Sequence, residues 1–193
     1  MGDGRMEQQR LTDSGDESKG NLDWMLPFDI FKFLKSTFDS GSKILEFGSG
    51  DGTALLAEYF EICSIEHDEE WAKKIATTCH LIPITSNEYS EQHSQVGWYD
   101  RKLVEAIIPD EIDIVIIDGP PGTIGRHGVL SILNSMPKSA TYIVDDVHRE
   151  QELDLYGRLL QWHGGIGTIY TAIYRSGLER KWATITPLER DEP

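Results

Sequence analysis

Ile44-Leu45-Glu46-Phe47-Gly48-Ser49-Gly50-Asp51-Gly52-Thr53 is an apolar run that closes on an acid and then places glycine at every second position. Ala54 to Phe60, directly behind it, has the composition of a helix. Read physically, this is a buried strand running into a tight turn that a ligand can approach closely, with a helix N-terminus behind the turn. Such a unit opens a nucleotide-type α/β domain. The spacing also separates ligand classes. A dinucleotide fingerprint is Gly-x-Gly-x-x-Gly, which would put its third glycine at position 53. That position holds Thr53, and the third glycine falls at Gly52.

Strand and helix patterns alternate outward from this turn. Trp24 to Leu34 has apolar residues at helical spacing, with Pro27 near the helix start. Lys43–Phe47 and Ile62–Glu66 read as the first two strands. Asp68 is placed to cap a helix in which Trp71, Ile75 and Cys79 recur every four residues. Leu81–Thr85 reads as a third strand, 86–100 as a long surface loop with Trp98 and Tyr99 as a wall at the pocket edge, and Leu103 to Ile108 as a helix face. Ile112–Asp118 is almost unbroken apolar sequence, as in the buried centre of a parallel sheet. After Gly119-Pro120-Pro121-Gly122 come a helix from about His127, a strand at Tyr142–Asp145, a helix from Glu152 to Trp162, and a hairpin from Gly167–Tyr174 and Lys181–Thr186. The expected fold is α/β, doubly wound and Rossmann-like, with a mostly parallel seven-stranded sheet and a C-terminal antiparallel hairpin. Residues 1–21 are polar and glycine-rich and are expected to form a disordered tail, leaving 22–193 as one domain.

Composition narrows the function. With 33 acidic against 18 basic residues the net charge is −15, which repels phosphate backbones and disfavours a nucleic-acid partner. No apolar run approaches the ~20 residues of a membrane span, and no apolar core suggests a signal peptide. Cys63 and Cys79 are expected as reduced, buried thiols in a strand and a helix, which points to a cytoplasmic setting.

The candidate site residues lie at strand ends. Glu66 is 16 positions beyond Gly50 and ends the second strand, where an acid can accept both hydroxyls of a ribose. Asp118 ends the fourth strand, and 27 residues later Asp145-Asp146-Val147-His148-Arg149 ends the fifth. In a doubly wound sheet these ends share one crevice. The three carboxylates and the imidazole either hold a divalent cation, or share protons with one of them acting as base. His148 and Asp118 are the candidate bases, and Arg126 is a candidate clamp for an anionic substrate group.

Glu-x-Gly-x-Gly-x-Gly resembles motif I of the class I S-adenosylmethionine-dependent methyltransferases. The resemblance spans roughly residues 22–187. It implies S-adenosylmethionine as cofactor, bound by Glu46, Gly48, Ser49, Gly50, Gly52, Thr53, Glu66, His67 and Asp118, with Glu46 steering the ligand's positive end. Aspartates at the ends of strands four and five also resemble the metal-dependent small-molecule O-methyltransferases, which implies Asp118, Asp145 and Asp146 as ligands of Mg²⁺. The run from Asp113 through Arg126 to Arg149 looks like the glucuronoxylan 4-O-methyltransferase family, whose His-Asp-Val-Asp-Arg stands here as Asp-Asp-Val-His-Arg. The implied activity is O-methylation of a small-molecule or sugar hydroxyl, with Asp118, Asp145 and His148 as catalytic residues. An NAD-binding oxidoreductase and a non-catalytic binding protein of the same fold are the alternatives.

Overall fold

The computed structural model describes residues 8–10, 26–75, 78–173 and 178–188. Its main sheet begins with β1 (Gln8–Arg10), β2 (Lys43–Phe47), β3 (Glu61–Glu66) and β4 (Thr78–Leu81). A short β5 (Ile84–Thr85) pairs only with β6 (Trp98–Tyr99). The main sheet resumes with β7 (Ile114–Ile117), β8 (Thr141–Val144), β9 (Ile166–Ile173) and β10 (Glu179–Thr186), in the order β1-β9-β10-β8-β7-β2-β3-β4. β10 runs antiparallel between β8 and β9, and the other pairings are parallel. This is the expected seven-stranded sheet with its antiparallel hairpin. An eighth strand, Gln8–Arg10, is added at the edge beside β9 from the segment read as a tail. The rest of that segment, with Trp24 and Met25, lies outside the described residues.

Strand alternation sorts the core into two layers. Ile44, Ile114, Ile116 and Ile143 face one side, where Ile30 and Leu34 of α1 (Phe28–Thr37) cover them together with Trp182. Leu45, Phe47, Val115, Ile117, Tyr142 and Val144 face the other. There they meet Leu155 and Leu159 of α6 (Glu150–His163) and Val129 and Ile132 of a 3₁₀ helix (His127–Ser135). With both faces covered, the central strands can be continuously apolar, as they are.

Register then dictates where the functional residues go. Phe47 pairs with Ile65 and with Ile117, and Ile117 pairs with Val144. The next residue on each strand is therefore Gly48, Glu66, Asp118 or Asp145, one row across the carboxyl end of the sheet. Gly48 has φ +90°, and a Cβ there would lie 2.6 Å from Gly119 Cα. The turns after β2 and β7 thus touch backbone to backbone, which only glycine permits.

Three local readings need correction. The helix after Asp68 is only α3 (Glu69–Lys74), and Cys79 sits on β4, paired opposite Ser64. Pairing with β3 there outweighs the four-residue apolar spacing. The third strand accordingly spans Thr78–Leu81 rather than 81–85. Residues 86–100 are an ordered insertion rather than a loop. Asn87 caps α4 (Glu88–Gln92), and Trp98 and Tyr99 are fully buried against Phe47, with ring centroids 5.3 and 6.3 Å away. They support the floor of the site from below and do not wall it.

Candidate functional site

A cleft of about 960 Å³ opens above the row of strand ends. One half is lined by Glu46, Gly48–Thr53, Glu66, His67 and Trp71, and the other by Asp118–Thr123, Arg126, Asp146, His148–Glu152 and Arg180.

The first half is a set of short-range hydrogen bonds around two buried carboxylates. Glu66 is 4 % exposed; its Oε2 accepts from Ser49 N (2.9 Å) and Ser49 Oγ (3.2 Å). Its Oε1 accepts from the backbone of His67 (2.7 Å) and Asp68 (2.9 Å). His67 Nδ1 also lies 2.7 Å from Oε1, off hydrogen-bond geometry. Glu46 accepts from Ser64 Oγ (2.6 Å) and Thr53 Oγ1 (2.9 Å). Burial raises its pKa to about 7 in spite of these donors. Thr53, the residue in place of a third glycine, also accepts from Gly50 N (2.9 Å), so its hydroxyl ties the turn and α2 (Asp51–Leu56) to Glu46. A Cβ at Gly50 would meet nothing within 4 Å, so the turn is open to the cleft at that point.

The second half is an ion-pair network. Asp146, 2 % exposed, takes the left-handed conformation at φ +62°, which aspartate tolerates better than most residues. Its Oδ2 bonds Arg126 Nη2 (3.1 Å) and Arg149 Nη1 (2.9 Å), and its Oδ1 bonds Arg180 Nη2 (2.6 Å). Burial pushes its pKa up, but the three guanidinium groups outweigh that and hold it below the ordinary value. Asp118 Oδ1 meets Arg126 Nη2 at 3.2 Å. Burial raises its pKa to about 6 against the pull of Arg126. Asp145 is fully buried, with Oδ2 3.4 Å from Arg180 Nη2 and Oδ1 without a hydrogen-bond partner among the described residues. Burial and the neighbouring Asp118 and Asp146 hold it well above the usual carboxylate range. His148 is exposed on the lip, with Nδ1 3.9 Å from Asp146 Oδ1, and partial desolvation lowers its pKa.

Several site readings change. Arg126 is not positioned as a substrate clamp: it is 3 % exposed and spends its donors on Asp118, Asp146 and the carbonyls of Pro120 (3.2 Å) and Asp145 (3.1 Å). Asp145 does not line the cleft. The donor atoms of Asp118, Asp145 and Asp146 do lie within 4.8 Å of one another. Both oxygens of Asp146 and one oxygen each of Asp118 and Asp145 are engaged by guanidinium groups, so a divalent cation would have to displace Arg126 or Arg180 to draw on all three. Arg180 was not anticipated, and no motif marks it; it reaches the site because β10 pairs with β8. Leu26, Trp71 and Gln151 join the lining without a sequence signal.

No protein-family model matches the sequence, and no curated protein matches it. Solved structures do share the fold. An rRNA methylase from Streptococcus thermophilus aligns over 86 % of this chain and 98 % of its own, with a TM-score of 0.53 at 15 % identity. The targeted domain of a precorrin-6Y C5,15-methyltransferase from Corynebacterium diphtheriae covers 83 % and 96 %, with a TM-score of 0.53 at 12 % identity. A methyltransferase from Pyrococcus furiosus covers 89 % and 86 %, with a TM-score of 0.50 at 17 % identity. Among the described residues no helix is long and apolar enough to cross a membrane.

Proposed function

We propose that this protein is an S-adenosylmethionine-dependent methyltransferase that acts on a hydroxyl of a small molecule or sugar. The observation that carries the reading is the row Gly48, Glu66, Asp118 across the sheet end, with the turn open at Gly50. A nucleoside bound there places its ribose on Glu66 and leaves its far end facing the carboxylates. Of the donors already on Glu66, only Ser49 Oγ is a rotatable hydroxyl; the others are backbone N–H groups. Ser49 Oγ is therefore the donor that a ribose hydroxyl replaces. Glu46, which also lines the cleft, braces Thr53 and Ser64.

S-adenosylmethionine, when bound, supplies an electrophilic methyl group. The protein's tasks are to align the acceptor oxygen and remove its proton. Asp118 lines the cleft, is part-exposed, and with a pKa of about 6 is ionised near neutral pH yet basic enough to take a proton in the transition state. Arg126 fixes its orientation. His148 is the second base within the cleft, and Asp145 acts from behind by holding Arg180. The guanidinium groups already on Asp146 favour an acid–base site that works without a metal.

Calorimetric titration with S-adenosylmethionine and with NAD tests the donor, and NAD binding alone would refute it. S-adenosylhomocysteine release is then measured with a hexose, a hexuronate, a catechol and a short RNA as acceptors. Turnover with a hydroxylated small molecule, unchanged by chelator, is expected; turnover only with RNA or only with added Mg²⁺ would overturn the acceptor or the metal-free reading.

A further inference from the structure

A chain of hydrogen bonds with defined polarity ends in the cleft. The backbone N–H of His127 donates to Gln95 Oε1 (3.1 Å), and since a backbone N–H can only donate, this contact fixes which end of Gln95 is oxygen. Gln95 Nε2 then donates to His127 Nδ1 (2.9 Å) and to Gln151 Oε1 (3.0 Å). With Nδ1 an acceptor, the His127 proton sits on Nε2, which donates to Asp154 Oδ2 (2.9 Å). Arg158 Nε holds the same oxygen at 2.7 Å.

The surroundings are shaped around this chain. His127 is 1 % exposed. Gln95 passes so close to Gly125 (φ +121°) that a Cβ there would overlap its carboxamide. Val96 N bonds Ile124 O at 2.9 Å, which fastens the segment carrying Gln95 to the loop that carries Arg126. His93, His127 and Asp154 offer donor atoms within 4.8 Å, but they do not form a cation site. Nε2 of His127 carries its proton, and the two imidazoles stack with centroids 3.7 Å apart at 18°. Ligands of one tetrahedral zinc, at about 2.1 Å each, must instead aim their lone pairs at a common point.

Gln151 lines the cleft, and its oxygen accepts from Gln95, which fixes the other end of the carboxamide as NH₂, a donor for a ligand. We infer that Gln151 is a specificity residue of the acceptor subsite that recognises its ligand through its NH₂ donor, held in that polarity by Gln95 and His127. It selects acceptors that carry a second oxygen, hydroxyl or carboxylate, besides the hydroxyl that is methylated. This rests on the methyl-transfer reading above.

The chain itself is testable without any acceptor. Nitrogen-15 NMR of the full protein should show His127 with an unprotonated Nδ1 and a protonated Nε2, and the Gln95→Glu variant, which cannot donate to Nδ1, should move the proton or charge the ring. A wild-type His127 protonated at Nδ1 would overturn the chain. With the acceptor turned over best in the panel above, Gln151→Met should raise the acceptor KM about 3- to 10-fold, as for one lost hydrogen bond. Its kcat and cofactor affinity should stay within twofold. Gln151→Glu should raise KM further for a hexuronate than for a hexose, because it sets an acceptor against a carboxylate. Unchanged KM in both variants would remove Gln151 from the subsite even if the NMR result stands. A wild type that turns over no acceptor in the panel would overturn the methyl-transfer reading and the role of Gln151 with it, leaving the tautomer result to be judged separately.

Discussion

The two halves of the cleft are built from opposite materials. The Glu66 half is made of backbone N–H groups and hydroxyls contributed by residues 46–68, nearly all within one βαβ unit. The Asp146 half is made of full charges brought from β7, β8, α6 and β10, and one of its bonds spans 34 residues. The first is a preformed cradle that rests on neutral and charge-assisted hydrogen bonds. The second is an electrostatic balance that fails if one member is withdrawn. The contrast predicts that damage to the first half appears as weaker cofactor binding, and damage to the second as lost catalysis or lost stability.

The largest effect is expected from Asp118→Asn. If Asp118 is the base, kcat should fall by roughly 10²- to 10⁴-fold while cofactor affinity in calorimetry stays within a few-fold. An unchanged kcat would move the proton to His148. Next comes Arg126→Met, which leaves buried carboxylates uncompensated and should cost about 3–5 kcal/mol of stability in urea unfolding. A loss below 1 kcal/mol would show that the network is not what holds this half together. Glu66→Gln places an NH₂ against the N–H groups of the turn. It should weaken S-adenosylmethionine binding about 10- to 100-fold, the range for bonds to a charged group, with little change in kcat at saturation.

The last effect concerns pH. The folded pKa of Glu46, about 7, lies above its unfolded value of 4.5. The folded state therefore holds a proton that the unfolded chain has lost, and stability falls as pH rises from 4.5 to about 7, then levels off. In Glu46→Gln this part of the stability–pH curve should flatten, and a curve identical to wild type would show that Glu46 titrates normally. Asp118 has the same sign over 3.8 to about 6, so its rate limb should rise with pH and reach a plateau above about 6.

The same contrast explains what could be read from the sequence. Gly48, Gly50, Thr53 and Glu66 announce themselves because a turn and the strand after it are local, and spacing alone encodes them. The strand-end row followed from runs of Ile and Val, since parallel register carries Phe47, Ile117 and Val144 to one level. The partners of the carboxylates were not legible. Arg180 lies on a hairpin strand whose pattern says only that it pairs, and Arg126, read from the sequence as a clamp for an anionic substrate group, is instead enclosed by Asp118 and Asp146. Trp98 and Tyr99 misled for a related reason: polar neighbours from 86 to 97 suggested a surface, while the two rings supply the hydrophobic anchor that seats the insertion on Phe47.

The insertion of β10 between β8 and β9 has a consequence for biosynthesis. A chain made from its N-terminus has the whole Glu66 cradle in hand once residue 68 has emerged, but Asp145 and Asp146 wait for Arg180. Until Ala183–Ile185 dock against β8, the nascent protein carries two like charges at a strand end with one of their cations missing. A product that stops before the last strand would keep every residue of the Glu66 cradle yet lack Arg180, leaving Asp145 and Asp146 without the guanidinium that spans them.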